Sequence, residues 1–172
     1  RPSSRLPAGA QEWFCSSHVR GGFYKDVDET TLLPLDEELI EGMRGAEAVF
    51  MRLMTRLEFA RSFSYEERKR LYYRHLRFWN DYITRHQITV LLAGILPHEI
   101  PDYVIYALCK YRGIPTIIIH QSTIVDCAFM MEDWELSSVE LRDRFQGLLK
   151  AAPASVPPLS PRFEDYVQSL TN

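Results

Sequence analysis

The chain has 172 residues, 46% hydrophobic and 25% charged, proportions of an ordinary globular domain with a sizeable core rather than a disordered segment. Its 20 basic and 23 acidic side chains leave a formal charge of −3, which offers a polyanion no footing and sets nucleic acid aside as a partner. Cys15, Cys109 and Cys127 are odd in number and widely spaced with no C-x-x-C, so they suggest neither a disulfide framework nor a zinc finger.

No apolar run approaches the roughly 20 residues of a spanning helix. The opening "RPSSRLPAGAQEWF" has a basic start without the apolar stretch of a signal peptide. A reducing, cytoplasmic setting is expected, with a place at the membrane periphery left open. The first residue is Arg1 rather than Met, and the sequence does not tell a whole chain from a processed or excised piece of something longer.

Residues 1–34 hold the glycines, prolines and serines of a loop-rich segment, with Glu12–Val19, "EWFCSSHV", as its one strand candidate. Asp36 then offers an N-cap, and Glu37 and Glu38 suit the first turn of a helix. Leu39, Met43, Ala46, Phe50, Leu53 and Leu57 follow at helical spacing and predict one helix from Asp36 to Phe59. Gly42 and Gly45 either weaken it or mark where another backbone packs close. "SYEE", Ser64–Glu67, has the capping-box pattern and opens a helix expected to reach His86. Leu71, His75, Phe78, Trp79 and Tyr82 fall on its inner face. Arg68, Lys69, Arg70, Arg74 and Arg77 make the remainder basic, and a solvated face is the plain reading of them.

"ITVLLAG", Ile88–Gly94, reads as a strand covered on both faces. Pro101 opens a helix that carries Cys109 as a small buried hydrophobe and ends at Gly113, a residue able to take positive φ. "IPTIIIH", Ile114–His120, is a second buried strand. Strand, helix and strand in this order make a βαβ unit. "CAFMMED" suggests a further short strand, "SSVELRDRFQGLL" a helix, "AAPASVPPLSPR" a linker, and Phe163–Leu170 a final helix. The expected fold is therefore α/β: a Rossmann-like three-layer domain over residues 35–150, with a short, mostly parallel sheet flanked by helices. Residues 1–34 precede it as the loop-rich segment, and residues 151–172 follow as linker and short helix.

Ligands of open parallel sheets bind beyond the carboxyl ends of the strands. His98 and Glu99 follow the first strand, while His120, Gln121, Ser122 and Thr123 follow the second, so both groups could face one crevice. An imidazole there can serve as general base or donate a hydrogen bond to a sugar or phosphate, or it can simply satisfy loop carbonyls. Glu99 and Asp102 are carboxylate candidates, although Asp102 beside Pro101 also suits the first-turn dipole. His98, Glu99 and His120 could ligate zinc, but no pair has the i, i+4 spacing that makes such a site specific, and no metal is assigned. The turn "GILPHEIP" is not G-x-G-x-x-G, and neither G-x-x-x-x-G-K-[ST] nor G-x-S-x-G occurs; dinucleotide, P-loop and hydrolase-elbow chemistry are disfavoured.

The run "LLAGILPHEIPDYVIYALCKYRGIPTIIIHQS" resembles the amino-terminal half of GT-B-type glycosyltransferases, in particular bacterial enzymes of capsule and surface-polysaccharide biosynthesis. The shared features are a buried strand, Pro97-His98, the pair Asp102-Tyr103, a helix, Gly113-Ile114-Pro115 and a second strand. The resemblance implies the acceptor side of a sugar-transfer site, with His98 as candidate base and Glu99, His120, Gln121 and Ser122 as substrate-binding residues. It implies a carbohydrate acceptor as partner and no cofactor in this domain. A nucleotide sugar would serve the complete enzyme, held by a carboxyl-terminal nucleotide-sugar-binding domain, and the domain is not expected to transfer sugar alone. The alternative is a non-catalytic α/β module for interaction or homo-oligomerisation, suggested by Val49, Met51, Met54 and Phe63 spreading beyond one helix face. A small zinc hydrolase is a third reading.

Overall fold

The computed structural model describes residues 14–58, 61–122, 127–136, 138–151 and 158–171, with the side chains at 57, 140 and 171 left out. Among these residues the protein is α/β, with helices and one small three-stranded mixed sheet. The chain divides into two compact units, Arg1–Leu91 with Pro97–Thr116, and Leu92–Leu96 with Ile117–Asn172.

The first unit is helical. Glu12 and Trp13 of the expected strand lie outside the described residues, and the rest forms no strand: Cys15 is extended only as the N-cap of helix α1, Ser16–Arg20. The amides of His18 and Val19 both reach the Cys15 carbonyl at 3.0 Å, and Val19 is the residue this short helix buries. Gly22, at φ +72, then turns the chain back. Its missing side chain matters twice, because a Cβ there would meet Leu71 Cδ1 at 2.7 Å.

The single helix expected from Asp36 is two. Asp36 caps it as anticipated, its Oδ1 accepting the Leu39 amide at 2.8 Å, but α2 (Glu37–Gly42) stops at Met43 and α3 (Arg44–Leu53) restarts there. Met43 and Met54 are wholly enclosed, and the buried Tyr72 hydroxyl donates to the Met43 carbonyl at 2.9 Å, fastening the break. Gly42 does mark a close approach, of the Tyr111 ring rather than of a backbone, whereas nothing crowds Gly45. The apolar spread beyond one face is largely absorbed: Met54 is core, and Val49, Met51 and Phe63 are half-buried.

Helix α4 (Tyr65–Arg85) opens on the expected capping box, with the Ser64 side chain accepting the Glu67 amide and the Glu67 carboxylate accepting the Ser64 amide. It buries more than the expected stripe: Tyr72, Leu76, Asn80, Asp81 and Ile83 join His75, Phe78 and Trp79. Its arginines are not merely solvated. Arg77 donates to the carbonyls of Leu32 (2.9 Å) and Leu33 (3.2 Å), Arg85 donates to that of Thr31 (2.6 Å), and Arg74 pairs with Glu29. Asp81 accepts the Leu33 amide at 2.8 Å. Together they pin the segment 29–33 to α4.

Helix α5 (Ile100–Tyr111) packs against α3 and α4. It buries Cys109 as expected, and burial pushes that thiol up to about 11. Gly113 follows at φ +67.

The sheet lies mostly in the second unit: β1 (Leu91–Ala93), β2 (Thr116–Gln121) and β3 (Ala128–Met131) in that order, β3 running antiparallel to β2. Strand β1 is far shorter than Ile88–Gly94, and the two strands are not covered on both faces. In β2, Thr116 and Ile118 are buried while Ile117 and Ile119 are exposed; Leu92 in β1 and Met130 opposite Ile119 are exposed as well. Helices α6 (Val139–Lys150) and α7 (Pro161–Thr171) appear where helices were expected, but the linker residues 152–157 lie outside the described residues. No described helix is long and apolar enough to cross a membrane.

Two predictions follow from the first unit. Gly22→Ala strains a left-handed backbone and collides with Leu71, so urea denaturation should show a loss of about 1–3 kcal/mol. His75 is fully enclosed, and burial first, then the charge of Arg74, lowers it to about 4. Below about pH 6.5 the unfolded chain takes up a proton that the folded chain refuses, so stability falls with pH, by about 3 kcal/mol on reaching pH 4. Denaturation curves from pH 7 to 4 should show that slope in the wild type, and His75→Gln should remove its share of it.

Candidate functional site

The loop after β1 enters α5 through Pro97, His98 and Glu99. Pro97 is buried; His98 and Glu99 are half-buried. Glu99 occupies the N-cap position with extended backbone, but its carboxylate makes no capping bond. It is held instead by Arg20 at the end of α1, whose Nε donates to Oε2 at 3.0 Å while a terminal nitrogen pairs with the same oxygen. The hydrogen bond from Arg20 to Glu99, then the charge of that carboxylate, raises the guanidinium above its ordinary value. Arg56, in the turn after α3, reaches the His98 carbonyl at 3.4 Å.

Asp102 lies in the first turn of α5, as a residue complementing the helix dipole would. The residue reaches solvent, yet its carboxyl is partly shut off from water. That desolvation, then the charge of Glu99, moves it above the usual carboxylate range, while His98 and Arg20 pull the other way. The structure thus brings Arg20, His98, Glu99 and Asp102 into one electrostatic neighbourhood. An imidazole beside a carboxylate is the chemistry of a base with an orienting partner. Glu99, already engaged by Arg20, serves to fix the loop's position.

The second strand's residues belong to the second unit. His120 is half-buried, opposite Phe129 on β3, with ring centroids 5.3 Å apart and planes at 79°. Its Nδ1 is closed off from solvent and has no hydrogen-bond partner among the described residues. Gln121 is exposed, paired with Ala128, and the Ser122 amide donates to the Cys127 carbonyl at 2.9 Å. Thr123 lies outside the described residues. Among the described residues no group of three or more His, Cys, Asp and Glu side chains is placed to hold a metal ion.

Arg20 escaped sequence reasoning because its partner is 79 positions away and no local pattern joins them. With this geometry in place the protein is defined as an α/β chain with a small mixed sheet and a histidine-carboxylate loop at a helix start. No known protein family, curated protein or solved structure matches it.

Removing the Glu99 charge tests this neighbourhood directly. Glu99→Gln takes away a like charge and releases Arg20, so the Asp102 carboxyl should titrate at lower pH than in the wild type. Carbon-13 NMR of that carboxyl reads the shift, and an unchanged or upward shift would contradict the electrostatic assignment.

Proposed function

We propose that this chain is the acceptor side of a GT-B-type sugar-transfer domain, Rossmann-like and three-layered in its complete form, acting in surface-polysaccharide biosynthesis in the cytoplasm or at its membrane surface. The observation that carries the reading is the order across Leu91–Gln121: a strand, Pro97-His98, a helix opened by Pro101-Asp102-Tyr103, Gly113-Ile114-Pro115 and a second strand. In this reading His98 takes the proton of an acceptor hydroxyl as its oxygen attacks the anomeric carbon of the donor, and the nucleotide departs with the electrons of the broken C–O bond. Asp102 orients the imidazole and stabilises its protonated form, while Arg20 and Glu99 hold the loop. The same reading gives Glu99 on the first unit, and separately His120, Gln121 and Ser122 on the second, a part in binding carbohydrate in the complete enzyme. The nucleotide sugar is bound by a carboxyl-terminal domain outside these residues, so the chain alone does not turn over.

A second reading, a non-catalytic module for interaction or self-association, is favoured by a different observation. Beside the exposed sheet residues, Leu141, Phe145, Leu148 and Leu149 of α6 and Phe163, Val167 and Leu170 of α7 are exposed, more apolar surface than a finished monomer usually presents. That reading requires nothing of His98.

The deciding experiment is His98→Ala in the complete protein, assayed with its nucleotide-sugar donor and acceptor. Loss of a general base should lower kcat by about 100-fold or more, with KM changed far less. Turnover at the wild-type rate would remove His98 from the chemistry and shift the balance to the interaction module.

A further inference from the structure

Helix α4 and the segment Tyr24–Leu35 enclose a cleft of about 450 Å³ within the first unit, a volume suited to a small-molecule ligand. Its walls are of two kinds. Arg70, Arg74 and Arg77 lie along one side at intervals of four and three residues, and Val27, Leu32, Leu35 and Phe78 supply apolar surface. Tyr24 stacks on Phe78 with ring centroids 3.5 Å apart, which makes that wall rigid.

The three guanidiniums are not equally engaged. Arg74 is neutralised by Glu29, with Nε at 2.7 Å from the carboxylate. Arg77 gives two donors to the Leu32 and Leu33 carbonyls, which are neutral and leave its charge uncompensated. Arg70 is exposed and, among the described residues, has neither hydrogen bond nor ion pair. The cleft therefore carries two more positive charges than negative ones. Arg70 and Arg77, seven residues and about two turns apart, lie on the same side of α4, and long side chains from both can reach an anion seated between them. The guanidinium fork matches a phosphate or a carboxylate geometrically.

We infer that this cleft binds a small organic anion, its phosphate or carboxylate held by Arg70 and Arg77 and its ring or chain resting against Val27, Leu32, Leu35 and the Tyr24–Phe78 wall. The site stands on the first unit alone and is independent of the sugar-transfer reading. Arg77 also fastens the segment 29–33, so the anion contact and the loop's position are coupled. Arg70 tethers nothing in the described structure and can be changed without loosening the fold.

The test follows the methyl resonances of Val27, Leu32 and Leu35 while three compounds sharing one ring are added: glucose 6-phosphate, glucuronate and glucose. Saturable shifts with the phosphate, the carboxylate or both, absent with glucose and weakened about tenfold or more by Arg70→Gln, are expected. Response to the phosphate alone or to the carboxylate alone would assign the anionic group. No saturable shift with either anion would overturn the proposal, as would equal response to glucose or affinity unchanged in Arg70→Gln. In those cases Arg74 and Arg77 serve only to clamp the segment 29–33, and Arg70 is solvated surface.

Discussion

Helix α4 is the member on which the first unit depends. One side of it enters the core through Tyr72, Leu76, Phe78 and Ile83, and the Tyr72 hydroxyl reaches across to the Met43 carbonyl, where α2 gives way to α3. The other side holds an otherwise irregular segment through Arg74, Arg77, Asp81 and Arg85. Backbone carbonyls at Thr31, Leu32 and Leu33 have no regular ladder to join, and charged donors satisfy them at full hydrogen-bond distance. One helix thus orders both core and loop, and the cleft between them is a consequence of that arrangement.

The local signals in the sequence were read correctly because local forces produce them. Asp36 caps, Ser64 and Glu67 form their reciprocal pair, and Gly113 adopts positive φ, each decided within four residues. What failed was decided at longer range. The apolar spacing from Leu39 to Leu57 has helical period throughout, yet the helix breaks at Met43, whose carbonyl takes a tyrosine hydroxyl from α4 as a second donor beside the Glu47 amide. Glu12–Val19 had strand composition in part, but Val19 is buried from a short helix. The basic stripe of α4 looked like solvated surface because the carbonyls it binds belong to a segment more than forty positions earlier.

The candidate site shows the same division. His98 and Glu99 were legible as residues leaving a strand, and Asp102 as a first-turn acid. Their electrostatics were not, since the sign of the neighbourhood turns on Arg20. A carboxylate at Glu99 without that guanidinium would crowd Asp102 more strongly; with it, the two acids share one counter-charge and the loop gains a fixed anchor. This half-exposed pair contributes little to stability, and its value lies in position. The buried His75 is a contrasting case, an imidazole that burial first and then the charge of Arg74 keep neutral, with the Tyr24 hydroxyl 2.6 Å from its Nδ1.

The sheet carries the sharpest conflict between pattern and structure. A strand with one face in water would alternate apolar with polar residues, whereas Ile117, Ile119 and Met130 put apolar side chains on one exposed face, Met130 at 75% exposure. Covering such a face removes apolar area worth about 25 cal/mol per Å², a sizeable driving force for whatever lies over it. Both functional readings need that cover: the sugar-transfer reading takes it from a second layer of helices, and the interaction reading from a partner surface. The exposed face therefore does not separate them. The separation lies in the loop at His98, where a catalytic domain must keep an imidazole within reach of a substrate hydroxyl and an interaction module has no use for one.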